Sequence, residues 1–310
     1  MPTVRFGAQL WSQAAWPDFR DSAIAAERAG WDSVWTWDHL LAIFGPWEQP
    51  ILEGWTTLAA LASVTERATL GLMVCANTFR NPGLTAMLAT TLDHVSGGRA
   101  ILGIGGAWFE REHDGYGFDE TWGSGFPERL DRLDESVMLL RRLLDGERIA
   151  EHVGRFYTMR DALCEPRPVQ ARLPILIGGS GPKKTLRTTA RYADAWNTGG
   201  TAEELAASDA ILRERCAEVG RNPDEIERTV TVWMAIRDDP AEAQRVLSAN
   251  AEANGGSSDG EDYVGSPEKI ADELRPIVEL GFRHILIDSM APYDAETLER
   301  LPRVRELLAG

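Results

Sequence analysis

The feature that most restricts the fold is an alternation. Short apolar, β-rich runs alternate with longer amphipathic stretches along the whole 310-residue chain. The pattern predicts strands at 4–10, 33–37, 68–74, 99–104, 174–177, 194–197, 228–236 and 283–287. It predicts helices at 17–29, 56–66, 82–95, 127–145, 182–192, 203–219, 241–253, 267–280 and 295–308. Proline opens several of these helices and glycine follows several, as at Pro17 and Gly30. Eight βα units over about 300 residues fit a single-domain (β/α)8 TIM barrel spanning 1–310. An open doubly wound sheet has the same alternation. Residues 147–173 break the rhythm, with the Pro-rich stretch EPRPVQARLP, and read as an insertion. Residues 254–262 (NGGSSDGED) read as a loop, open as to whether it forms a lid.

Charge and cysteine usage narrow the partners. Lys and Arg total 32 against 48 Asp and Glu, a formal net charge of −16. Such a surface repels nucleic acid and anionic lipid, which leaves small molecules as the expected partners. Cys75, Cys164 and Cys216 are few, odd in number and far apart, which points to a reducing compartment. With no basic segment leading into an apolar one at the start and no apolar run near ~18 residues, the expected setting is the cytoplasm.

Several motifs fail on context. Gly181-Pro-Lys-Lys-Thr has Lys183 where a phosphate loop needs glycine. GIGGAW at 103–108 lacks the third glycine of a dinucleotide fingerprint. The G-x-S-x-G match at 256–260 follows a helix, whereas a nucleophile elbow follows a strand. The five histidines show no metal-ligand spacing, so no metal site is expected.

The ends of predicted strands are more informative, because a barrel places its active site there. After the second strand stands Asp38-His39, a pair that orients an imidazole for acid–base work or caps a loop. After the third runs a polar exit from Cys75 through Asn77 and Arg80 to Pro82. After the fourth come Gly105, Gly106, Trp108, Glu112 and His113; the glycines permit close backbone approach, and Glu112 and His113 are polar site candidates. After the fifth, Gly178, Gly179, Ser180 and Gly181 open a helix. Small residues and free amides there suit a phosphate, which would also relieve Lys183 and Lys184. Seven of the eleven tryptophans fall within residues 1–55, enough to wall a cavity for a planar ring or to fill a core. Trp35 reads as packing and Trp37 as a pocket wall.

Five blocks taken together resemble a known family: FGAQLW at 6–11, WTWDHL at 35–40, NTFRNP at 77–82, LDHVSGGRAILGIGGAWFEREH at 92–113 and PILIGGSGPKKTLRTTARYADAWN at 174–197. Their order is similar to that of the bacterial luciferase-like superfamily, and within it the branch dependent on the deazaflavin coenzyme F420. The resemblance implies a TIM barrel with an insertion, a homodimer, and a tricyclic ring at the strand C-termini. It implies a non-prolyl cis peptide at Met73–Val74 bulging against the ring. Phosphate would lie on Gly178, Gly179, Ser180 and Gly181, Asp38 and His39 beside the reactive ring edge, and Asn77 near the pyrimidine end. The implied activity is hydride transfer between F420 and an alcohol or ketone, an imine or an activated alkene. His39 is the first acid–base candidate and Glu112 the second, with Trp11, Trp37 and Trp108 lining the substrate pocket. Use of reduced FMN and oxygen in a monooxygenase is the alternative, and a non-catalytic flavin-binding protein a third. Sugar-phosphate dehydrogenases of this branch carry a catalytic glutamate after the strand-four glycines. Here Trp108 takes that place, which favours a more apolar substrate.

Overall fold

In the computed structural model, which describes residues 3–255 and 262–309, the alternation closes into a barrel. The strands are β1 (Arg5–Leu10), β2 (Ser33–Thr36), β3 (Thr69–Leu72), β4 (Cys75–Ala76), β5 (Ala100–Gly105), β6 (Ile149–Val153), β7 (Thr158–Ala162), β8 (Ile175–Gly178), β9 (Ala195–Thr198), β10 (Glu227–Ile236), β11 (Asp262–Gly265) and β12 (Phe282–Ser289). The helices are α1 (Trp16–Arg28), α2 (Gly54–Ala62), α3 (Pro82–Ser96), α4 (Glu110–Tyr116), α5 (Asp119–Trp122), α6 (Phe126–Leu144), α7 (Thr185–Tyr192), α8 (Ala202–Glu218), α9 (Pro240–Ala253), α10 (Pro267–Glu279) and α11 (Ala295–Ala309). Eight parallel strands run in the order β12-β1-β2-β3-β5-β8-β9-β10, and β10 pairs back onto β12. This is the expected (β/α)8 barrel.

Burial explains why these segments are strands. Every residue of β2 and β5 is buried, as a parallel strand covered on both faces requires. Inside the barrel Trp35, Ile101, Leu176, Ala195 and Leu286 form the axial core. Outside, a larger core fills the layer between strands and helices, with Phe6, Leu102, Leu140 and Leu186 fully buried in it. The closed end holds a polar chain. Trp35 Nε1 donates to Ser33 Oγ at 2.8 Å, and that hydroxyl meets His284 Nε2, also at 2.8 Å. Burial, then the Arg5 charge, hold the His284 imidazole well below its ordinary pKa. Gly7 makes room for this chain, since a Cβ there would sit 2.3 Å from Ser33 Oγ.

The departures from the expected elements are local. The 147–173 insertion contains a two-stranded antiparallel hairpin, β6–β7. β4 is a two-residue strand beyond the Met73–Val74 bulge, and β11 pairs with the outer end of β10. α7 begins at Thr185, three residues later than predicted, because 182–184 form a turn. Most of the 254–262 loop, residues 256–261, lies outside the described residues.

Glycines set how close neighbouring strands come beneath the barrel mouth. A Cβ on Gly103 would lie 2.0 Å from the Leu72 carbonyl oxygen, whereas one on Gly115 in α4 would meet nothing within 4 Å. Gly103→Ala is therefore expected to lower stability by about 1–3 kcal/mol through overpacking, while Gly115→Ala raises it by up to about 1 kcal/mol. Urea unfolding of the two variants beside the parent checks both signs; a neutral Gly103→Ala would refute the close packing.

Candidate active site

The C-terminal ends of the strands surround a cavity of about 390 Å³, in the range of small-ligand sites. One wall is the Met73–Val74 bulge, whose peptide bond is cis. Val74 nests against glycines of two neighbouring strands: a Cβ on Gly105 would come within 2.7 Å of its side chain, and one on Gly178 within 3.1 Å. Only glycine lets β5 and β8 approach the bulge this closely.

Next to the bulge, on the neighbouring strand, the 37–39 segment follows β2. Asp38 is buried and fully engaged. Its Oδ2 accepts from the Ala76 amide at 2.8 Å, and both oxygens take the Arg80 guanidinium, at 2.6 and 2.9 Å. Burial pushes its pKa up, against the pull of Arg80 and the amide. Arg80 also donates to Glu53 Oε1 at 3.1 Å, and Glu53 caps α2 by accepting from the Thr56 amide at 2.7 Å. Asp38 thus lines the cavity as part of a buried ion pair.

His39 comes next, and its Nδ1 meets Glu112 Oε2 at 2.9 Å. Glu112, on α4, is buried; its Oε1 accepts from the amides of Leu40 and, at 3.0 Å, Leu41. The two acid–base candidates are therefore one unit, with Glu112 gripping the imidazole and the loop behind it. His39 Nε2 makes no hydrogen bond to protein among the described residues. The ring stands edge-on to Trp37, Trp108 and Phe109, with centroids 5.9, 5.6 and 6.1 Å away. His113, by contrast, uses both ring nitrogens structurally. Nε2 meets Thr78 Oγ1 at 2.6 Å, Nδ1 meets the Phe109 carbonyl at 3.0 Å, and burial pulls its pKa down.

Of the expected pocket tryptophans, Trp37 and Trp108 line the cavity, Trp108 at its exposed rim. Trp11 packs behind Trp37 and Phe44, with both centroid distances 4.4 Å. Its Nε1 donates to Asp288 Oδ1 at 2.6 Å. Asp288, at the end of β12, lines the cavity and was not singled out from sequence. Burial pushes its pKa up to about 7, against hydrogen bonds from Trp11 and Gln9.

The 178–181 segment begins at the cavity and leads away from it. Gly178 lines the wall, and Gly179 turns with φ +104, donating its amide to the Asn197 carbonyl at 2.9 Å. α7 starts without a side-chain cap. Lys184, expected to be relieved by an anion, is instead occupied: its Nζ donates to Asp131 Oδ1 at 2.5 Å and the Pro127 carbonyl at 2.9 Å. Asn77 is buried outside the cavity lining, beside the Tyr157 hydroxyl. Its amide oxygen and nitrogen both lack a well-formed hydrogen bond. No cluster of metal-ligating side chains occurs among the described residues.

A glycine-lined bulge, an uncapped helix start and an unpaired buried amide together fit a planar ring bearing a phosphate. The model of the luciferase-like monooxygenase family matches residues 2–258. An F420-dependent glucose-6-phosphate dehydrogenase from Intrasporangium calvum is 30% identical over 93% of this chain and 94% of its own. The enzyme of that name from Microbacterium testaceum is 30% identical over 99% of both chains. An F420-dependent secondary alcohol dehydrogenase, solved with an F420–acetone adduct, shares the fold with a TM-score of 0.84 at 20% identity over 99% of each chain. An F420-dependent tetrahydromethanopterin reductase from Methanopyrus kandleri does so at 0.80 and 19%. Match and architecture agree along nearly the whole chain, which belongs to the luciferase-like monooxygenase family.

Proposed function

We propose that the chain is an oxidoreductase that transfers a hydride between coenzyme F420 and a small organic substrate, an alcohol or ketone, an imine or an activated alkene. The observation that carries this reading is the His39–Glu112 pair lining one cavity with the Met73–Val74 bulge, in a chain similar to F420-dependent dehydrogenases over 99% of its length. The residues present fit the coenzyme. Gly178, Gly179, Ser180 and Gly181 would take its phosphate at the open end of α7. Met73 and Val74 would support the ring, and Asn77 would offer its unpaired amide to the polar ring end. When bound, the deazaflavin supplies a carbon centre that accepts or gives a hydride.

The remaining chemistry belongs to the protein. His39 holds or receives the proton at Nε2, the nitrogen left free once Nδ1 is held by Glu112. Glu112 acts through His39, since both its oxygens are already engaged. Buried Trp37 shields one side of the imidazole from water, while Trp108 and Phe109 stand edge-on to it toward the rim. The same reading carries a homodimer in a reducing cytoplasm; the three free, buried cysteines support the reducing compartment.

The test is a side-by-side titration of the purified protein with F420 and with FMN, followed by tryptophan fluorescence. Tight F420 and weak FMN binding is the expected result; the reverse moves the protein to the oxygen-using branch. In the F420-loaded enzyme, His39→Ala is expected to lower kcat by about a hundredfold or more with coenzyme affinity nearly unchanged. Unchanged turnover would remove His39 from the mechanism. Glu112→Gln is expected to cost about tenfold in kcat, with KM moved little, as for a group that orients another.

A further inference from the structure

Three acids line the cavity: Asp38, Glu112 and Asp288. Asp38 is neutralised by the bidentate Arg80, and Glu112 is held by His39 and two amides. Asp288 has no cationic partner among the described residues. Its hydrogen bonds come from a neutral indole and a neutral amide, Trp11 and Gln9. No lysine or arginine is among the described residues that line this cavity. A phosphorylated sugar placed here would bring its dianion to a carboxylate and to aromatic faces, with no counter-charge.

The surroundings of Asp288 suit the opposite sign. Trp11, which holds its carboxylate, is stacked on Phe44 with ring planes 13° apart, and packs against Trp37 and against Trp233 at 5.4 Å. Trp37 and Phe44 are themselves cavity walls. In strand order the cavity wall runs from the bulge after β3, past Trp37 after β2, to Asp288 on β12, with Trp11 after β1 packed behind it. Aromatic faces beside a desolvated carboxylate attract a weakly hydrated cation, through the ring quadrupole and the full charge together.

Resting on the F420 reading for the site as a whole, we propose that this cavity selects a substrate bearing a positively charged nitrogen, an ammonium or iminium group, seated against Asp288 and the Trp37–Phe44 wall. Asp288 is then the specificity-determining residue, and sugar phosphates are excluded. A bound cation favours the ionised carboxylate. Since Asp288 titrates near 7 when the cavity is empty, cation affinity rises as pH increases through that value. Other charged groups facing the region are His39 and Glu112 across the cavity, Asp38 with Arg80, and Asp294 behind Asp288, paired with Arg237 at 2.8 Å.

The test compares choline with 3,3-dimethyl-1-butanol, which has the same shape without the charge, and with glucose 6-phosphate. Calorimetry is run on the protein with and without saturating F420. Near pH 8 choline is expected to bind about tenfold tighter than its neutral isostere, with glucose 6-phosphate not detected. Near pH 6 the preference should shrink, and Asp288→Asn should bring the two ligands to within about twofold. Equal binding by the parent protein at both pH values overturns the proposal, as does a preference that Asp288→Asn leaves intact. Should the variant fail to fold, the parent protein's preference for choline over its neutral isostere near pH 8 still decides, since equal binding there overturns the proposal. If F420 itself fails to bind while the cation preference holds, the coenzyme reading fails and the selectivity stands. If F420 binds and no preference appears, the selectivity alone fails.

Discussion

One buried ion pair organises the barrel mouth. Asp38 leaves the end of β2 and meets Arg80 from the loop before α3, the Ala76 amide of β4 and, through Arg80, the Glu53 carboxylate that caps α2. Four successive segments are fixed relative to one another by this cluster. Removing one member of a buried pair leaves an uncompensated charge, typically at a cost of about 3–5 kcal/mol. His39 follows Asp38 directly, so its backbone is anchored on one side by the ion pair. Glu112 anchors it on the other.

The two ends of the barrel use polar groups differently. At the closed end the Trp35–Ser33–His284 chain is satisfied internally and fills space left by Gly7. At the open end, His39 Nε2 and the uncapped start of α7 are left with capacity to spare. Unused hydrogen-bonding capacity beside a cavity is what a bound ligand would satisfy. Aromatic side chains surround His39 and raise the strength of any interaction formed there.

Much of this was legible in the sequence. All eight barrel strands were placed, because a parallel strand buried on both faces leaves a short, continuous apolar run. The position of the bulge followed from resemblance, and the structure has its cis peptide at Met73–Val74. The β6–β7 hairpin was read only as an insertion, since most of its residues are exposed and no apolar alternation shows. α4 is absent from the sequence-predicted helices because its seven residues are mostly charged and carry no apolar stripe, yet Glu112 on it is among the most buried acids of the described residues. Asp288 was overlooked although the signal existed. It stands directly after the predicted 283–287 strand, where the rule applied to earlier strands would have found it. Lys184 was misassigned because its partner Asp131 lies 53 residues away, on a helix face that spacing alone does not reveal.

The grip of Glu112 on the Leu40 and Leu41 amides has a use beyond catalysis. Those two protons are withheld from solvent only while α4 stays docked, so their exchange with deuterium reports the docking of a short helix some seventy residues away in sequence. The residues between β5 and α4 include Trp108, which sits at the cavity rim against His39. Exchange at amides 40 and 41 is thus a local gauge of whether Glu112 stays in place beside His39, independent of any turnover assay.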